Sequence, residues 1–329
     1  MPQYSEDDIN HAINAVSNGQ SIRSASREWG VPMRTLQHRT HGTQRREAAF
    51  SHLQRLAPTQ ESHLAERIRI QASLGAPPTH QQVREFAQRI LRAKGDSSPL
   101  GKNWTQNFIK RNPSIKIRRS RAIDSQRISG ASTDVIRSWF RHLDIPEIKA
   151  INPCNRYNMD ETGIQEGKGS NGLVLGSAEG TTLLKKQPGS RVWTSLIECV
   201  SATGDTLPPL VIFKGKTIQQ QRFPLDLGPF ATWKFTVTEN GWTSDSTAIQ
   251  WLQEIFIPST QPSDPSEPRL LILDGHGSHE TTDFMYLCYT HNIRLFFLPP
   301  HASHVLQPLD LPVFGPLKTA YQKELRYLD

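Results

Sequence analysis

Residues 269–279 read RLLILDGHGSH. Four apolar residues, Leu270 to Leu273, run straight into Asp274, and the chain then breaks at Gly275 and Gly277 on either side of His276. The run has the length and composition of a buried strand. An unpaired carboxylate at the end of such a strand costs on the order of several kcal/mol or takes up a proton. Asp274 therefore calls for a basic partner or a bound cation.

The segments around it extend the pattern. Strands are expected in RYNMDETGI, RVWTSLIECVSATG and LPPLVIFKG, separated by turn residues such as Gly204, Asp205 and Gly215. A helix is expected in SDSTAIQWLQEIF, where Ile249, Leu252 and Phe256 share a face. After the Pro/Ser stretch IPSTQPSDPSEP come the RLLILD strand, a helix in ETTDFMYLCYTHN, a strand in IRLFFLP and a helix in VFGPLKTAYQKELRYL. Three strands followed by helix, strand, helix, strand and helix describe an α/β layer with a mixed sheet.

Asp160 and Asp274 occupy comparable places, each after a strand-like run and before a glycine-containing turn. On neighbouring strands the two carboxylates would face each other across a cleft at the sheet edge. A divalent cation resolves that repulsion, and oxygen ligands suit Mg²⁺ or Mn²⁺. A third acid, Asp310, follows in PPHASHVLQPLD. With two metals about 3.5–4 Å apart, one activates a water or hydroxyl and the other stabilises the leaving oxygen of a phosphodiester.

The front of the chain is different. Residues 1–130 carry a net charge of +11, against -4 for residues 131–329, which points to a polyanion-binding module joined to something else. EDDINHAINAVSNG places Ile9, Ala12, Ile13 and Val16 at helical spacing with Gly19 as a stop. SIRSASREWG follows, with Ser21 as N-cap, Ile22, Ala25 and Trp29 on one face, and Gly30 at the turn. In PMRTLQHRT, Met33 and Leu36 are expected to point inward, leaving Arg34, Gln37, His38 and Arg39 free to face DNA. Two helices joined at a glycine turn, the second rich in Arg and Gln, make a helix-turn-helix.

After a polar linker around residues 41–60 the arrangement recurs. Residues 61–74 and 79–94 have helical spacing, and Thr79 with Gln82 has the spacing of a capping box. GKNWTQNFIKRNP then puts Trp104, Phe108 and Ile109 on a core face. Seven Lys/Arg and no acid lie between Leu100 and Arg121. Lys102, Asn103, Gln106, Lys110, Arg111, Arg118 and Arg119 are the expected DNA contacts of this second unit. Two linked units raise affinity through effective concentration.

Four blocks in order, MDETGIQEG, GWTSDSTAIQWL, LLILDGHGSH and LPPHASHVLQPLDLPVFGPLK, resemble the pogo/Fot-type transposases of the Tc/mariner superfamily, the group related to centromere protein B. The 35 residues between Asp274 and Asp310 match the spacing of such DDD enzymes. The resemblance implies a Psq-type helix-turn-helix over 1–45, a centromere-protein-B-type helix-turn-helix over 46–122, a linker over 123–152 and an RNase H-like DDE endonuclease over 153–329. It further implies two Mg²⁺ or Mn²⁺ ions on Asp160, Asp274 and Asp310. Water, and later a 3′-hydroxyl, would attack phosphodiesters at transposon terminal repeats in double-stranded DNA, with the protein working in the nucleus and a homo-oligomer left open. Glu161 rivals Asp160, but strand alternation sends the two side chains to opposite faces.

His276 with His279, and His301 with His304, offer four imidazoles and admit a zinc reading. No cysteine joins them, so they are read as shaping the metal pocket or touching DNA. Pro312 stands where the family commonly has glycine, and the chain ends 19 residues after Asp310. That favours an alternative, a truncated or domesticated DNA-binding protein without cleavage. No apolar run approaches the roughly 20 residues needed to cross a bilayer, the N-terminus MPQYSEDDIN lacks signal-peptide character, and Cys154, Cys199 and Cys288 form no paired pattern. An intracellular protein without a membrane segment is expected, in keeping with a mean hydropathy of -0.52.

Overall fold

A computed structural model describes residues 4–43, 54–117, 132–166 and 192–325, which divide into two units at residues 62 and 63. In the first unit, helices α1 (Glu6–Ser17), α2 (Ile22–Glu28) and α3 (Met33–Thr40) form a small bundle. Ser5 and Asp8 cap α1 reciprocally, with the Asp8 N–H donating to Ser5 Oγ at 3.1 Å and the Ser5 N–H donating to Asp8 Oδ2 at 2.7 Å. Ser21 caps α2 as expected. Ile9, Ala12, Ala25, Val31 and Leu36 make the core, with Trp29 packed against it. Met33 departs from expectation and is 46% exposed, because Val31, entering from the turn, already fills the core at the start of α3.

The second unit opens with the greater part of α4 (Pro58–Ser73), then α5 (His80–Ala93) and α6 (Trp104–Arg111). Thr79 and Gln82 form the expected capping box on α5. Trp104 and Phe108 are buried and stack with ring centroids 5.1 Å apart, which fixes α6 by its apolar face. The segment read as a linker carries α7 (Thr133–Leu143), capped by Ser132.

Six strands form one mixed sheet: β1 (Arg156–Gln165), β2 (Trp193–Ser201), β3 (Leu210–Lys214), β4 (Lys234–Thr238), β5 (Arg269–Leu273) and β6 (Ile293–Phe297). Their spatial order is β4-β3-β2-β1-β5-β6. β1, β2 and β3 pair antiparallel, whereas β5 lies parallel to both β1 and β6, and β4 adds a parallel edge beside β3. The helical units followed by this mixed sheet are the architecture expected from the sequence. β4 was not foreseen.

Helices cover both faces. On one side α8 (Asp245–Trp251) runs into a π-helical turn, Leu252–Phe256, and α9 (Thr282–Thr290) lies beside it, burying Trp251, Phe256 and Phe284 completely. On the other side Trp139 of α7 stacks on Phe296 at 4.6 Å and donates its Nε1–H to the Phe297 carbonyl at 2.9 Å. α4 closes the β6 edge, where the Gln71 side-chain amide donates to the Leu295 carbonyl at 3.1 Å. Phe86 of α5 packs against Tyr286 and Tyr289 of α9, and Arg89 pairs with Asp283. The second helical unit is thus bound to the sheet by apolar contact, ring packing and charge.

Candidate active site

β1 and β5 are neighbouring interior strands, and their parallel register pairs Asn158 with Ile272. Two residues further along each strand, the same register brings Asp160 level with Asp274. Asp274 directly follows β5, as expected. Asp160 sits in the middle of β1, which continues to Gln165; the glycine that looked like a turn, Gly163, lies within the strand. The two carboxylates therefore meet where β5 ends beside the continuing β1. Glu161 points to the opposite face, and its Oε1 accepts the Thr243 N–H at 3.3 Å.

Asp310 opens a π-helical turn, Asp310–Phe314, that leads into α10 (Gly315–Leu325), and it is exposed. Gln307, fully buried three residues earlier, donates its Nε2–H to the Met159 carbonyl at 3.4 Å and also reaches the Asp160 carboxyl. This holds the Asp310 segment against β1.

Burial raises the Asp160 carboxyl to about 7, and the negative charges of Asp310 and Asp274 add to the rise. Asp274 behaves oppositely. Burial favours its neutral form, but the buried His279 ring, with Nδ1 3.2 Å from Asp274 Oδ1, and the His276 N–H at 3.3 Å outweigh it and hold Asp274 below the ordinary aspartate range. The surroundings thus favour the charged form of Asp274 and the neutral form of Asp160.

The charges of Asp274 and Asp310 are felt at Asp160, yet among the described residues no three His, Cys, Asp or Glu side chains are grouped to hold a metal ion. The donor chemistry nevertheless fits a hard divalent cation. The three acids offer carboxylate oxygens, and the buried Asn158 Oδ1 and Gln307 Oε1 beside them have no hydrogen-bond donor. The zinc reading does not fit. His279 is buried against Asp274, the exposed His276 ring has Nδ1 2.8 Å from Ser278 Oγ, and His301 and His304 are exposed on the following loop and helix, so the four imidazoles form no ligand set. Asp274, His276, Glu280 and His301 line a cleft of about 750 Å³ whose far wall includes Trp139 and His142.

The expected DNA-contacting residues divide by environment. Arg34, Gln37 and His38 are exposed on α3, but Arg39 is turned inward to Glu6 at 2.5 Å and ties α3 to α1. Lys102, Asn103, Gln106 and Lys110 are exposed on α6 and the turn before it, and Arg111 is half-buried. Arg118 and Arg119 lie outside the described residues. The sequence reading missed Gln307 and Asn158, although Gln307 stands in the QPLD run just before Asp310.

Comparison with known proteins matches residues 190–328 to the DDE superfamily endonuclease family, residues 57–119 to the Tc5 transposase DNA-binding domain and residues 5–46 to the helix-turn-helix Psq domain. A protein named MFS-type transporter clz9 from Cochliobolus lunatus is 30% identical over 94% of this chain and 30% of its own length. The human pogo transposable element with KRAB domain is 23% identical over 80% of this chain and 42% of its own length. The chain thus spans less than half of these relatives, and among the described residues no helix is long and apolar enough to cross a membrane. Among solved structures, the pre-cleavage Mos1 transpososome is 12% identical over 98% of this chain and 89% of that chain, with a TM-score of 0.41.

Proposed function

The chain belongs to the pogo/Tc-mariner DDE transposases, and from that premise we propose that it binds the ends of a DNA element through its helix-turn-helix units and cuts and rejoins phosphodiesters at Asp160, Asp274 and Asp310. The observation that carries this reading is the register that brings Asp160 level with Asp274 on adjacent parallel strands, with the charge of Asp310 felt at Asp160. Domain limits of 1–45, 46–122, 123–152 and 153–329 belong to the same proposal, as does a place of action in the nucleus.

Asp160, Asp274 and Asp310 would hold Mg²⁺ or Mn²⁺ through carboxylate oxygens. A bound pair of such ions lowers the pKa of a coordinated water and neutralises charge on the departing oxygen. His279 keeps Asp274 ionised and limits its rotation, so that its charge is in place before substrate arrives. Gln307 restrains both the Asp160 carboxyl and the backbone of β1. The phosphodiester strand would enter through the cleft lined by His276 and His301, whose rings can meet phosphate oxygens. Water attacks first and leaves a 3′-hydroxyl, which then attacks the target strand.

On α3, the exposed Arg34 and Gln37 would read base edges in the major groove, while the exposed basic residues at α6 neutralise phosphates. The test is incubation of the full chain with duplex DNA carrying the element's terminal repeats. Nicked product ending in a 3′-hydroxyl, formed with Mg²⁺ or Mn²⁺ and absent with chelator, supports the proposal; intact DNA with both ions overturns it.

A further inference from the structure

Two arginines on opposite sides of one seam feel the charge of Glu66 but, among the described residues, are held by no carboxylate in an ion pair. Arg67 of α4 and Arg294 of β6 line a cavity of about 40 Å³ whose remaining wall is mostly apolar, including Leu64, Ile68, Phe86 and Ile293. Arg67 donates from Nη2 to the Tyr289 carbonyl at 3.1 Å and lies over the Tyr289 ring, 5.5 Å from its centroid. Arg294 has less. Its Nε and Nη1 are buried without a hydrogen-bond partner. The nearby acids act on Arg294 only through space, since Glu147 is taken by Arg69 at 2.6 Å and Glu66 is exposed to solvent. Burial and, after it, the charge of Arg294 bring the Arg67 guanidinium down to about 10.

Leaving buried N–H groups of a cation unanswered is costly, and two like charges at one cavity add repulsion. Apolar side chains of similar volume would fill the same seam at lower cost. Both arginines are accounted for together if an anion belongs between them.

The geometry points to an oxyanion site between Arg67 and Arg294 that takes a phosphate group. Forked guanidinium donors match the oxygens of a phosphate, and a wall that excludes water strengthens the attraction. By the usual measure of roughly 10–15 Å³ per water, the cavity has room for about three waters or one small tetrahedral anion. The site is separate from the carboxylate cluster and does not depend on strand cleavage. It joins the second helical unit to the edge of the sheet, so an anion bound there would bridge the two. The phosphate belongs either to a DNA backbone or to free inorganic phosphate.

The experiment uses the full chain, with Arg67→Met and Arg294→Met as variants. Thermal melting is compared in inorganic phosphate and in chloride at equal ionic strength, and duplex DNA binding is measured against salt concentration. If the site takes free phosphate, the wild-type Tm rises with phosphate through mass action and both variants stay flat. If it takes a DNA phosphate, Tm ignores free phosphate, but each variant weakens DNA binding and lowers the log-log salt slope by about 0.9. Where a Met variant does not fold, Arg294→Lys keeps the charge and loses the fork, and should cut the same response at least threefold. Variants that respond to phosphate as the wild type does, or a wild type without a phosphate response alongside variants with unchanged DNA affinity and salt slope, overturn the site.

Discussion

His279 Nδ1 stands 3.2 Å from Asp274 Oδ1, on the short 3₁₀ turn Gly277–His279 that follows β5 after Asp274. The ring is buried while the carboxylate is half-exposed, so the contact does not close the acid off from solvent. Replacing His279 with Phe should raise the Asp274 carboxyl toward its ordinary range and leave its rotation free. The metal concentration giving half-maximal cleavage should increase by about 10–100-fold. A titration with Mn²⁺ checks this, and an unchanged midpoint would show that the histidine does not act through Asp274.

Glu198 on β2 lies directly opposite Asp160 in the antiparallel register, and burial raises its carboxyl to about 7. The native state holds this proton more tightly than the unfolded chain does. Its favourable contribution is therefore complete below the ordinary glutamate range and is lost as pH rises to about 7. Glu198→Gln should stabilise the metal-free protein above pH 7 by about 1–2 kcal/mol, allowing for partial solvent exposure. Melting curves from acid to neutral pH should show a flatter decline in the variant than in the wild type.

Arg34 and Arg39 lie close together on α3 and should behave differently. Arg34 is exposed, whereas Arg39 is held by Glu6 at 2.5 Å. Alanine at Arg34 or Gln37 should change the preferred DNA sequence, with about 1–3 kcal/mol of discrimination lost for each bidentate base contact. Alanine at Arg39 should instead lower the stability of the bundle by roughly 0.5–1 kcal/mol and leave sequence preference alone. Binding-site selection for each variant separates the two roles.

Gly241 has φ of 77°, and a Cβ there would meet Lys214 Cβ at 3.0 Å and the Trp193 carbonyl oxygen at 3.1 Å. Its own carbonyl accepts the Ser195 hydroxyl at 2.7 Å, which fixes the loop after β4 to β2. Gly241→Ala should destabilise the chain by about 2–3 kcal/mol through strain and crowding. Chemical denaturation gives this value directly, and a neutral substitution would mean that the loop moves freely.

The apolar run into Asp274 was legible because a buried strand leaves a contiguous pattern and the glycines mark where it stops. β1 was legible in part. A strand near the sheet centre tolerates Gly163, so the glycine read as a turn was part of the strand. β4 was not legible, since KFTVT is a half-exposed edge strand that gains its identity from pairing with β3. α7 was hidden between a basic stretch and the sheet, although Trp139 and Leu143 carry its apolar stripe. The π-helical turn at Asp310 depends on i→i+5 geometry, which apolar spacing does not encode. Gln307 followed the same rule: its importance lies in a contact with Met159, 148 positions away.

The central claim is that Asp274 is a charged member of a catalytic carboxylate cluster. The measurement that tests it most directly compares wild type and Asp274→Asn for cleavage of terminal-repeat DNA in Mn²⁺, with DNA binding measured on the same samples. Asparagine keeps the shape and removes the charge, so cleavage should fall below detection while DNA affinity stays unchanged, and added Mn²⁺ should raise the Tm of the wild type more than that of the variant. A variant that still cuts, or two proteins stabilised equally by Mn²⁺, would contradict the account.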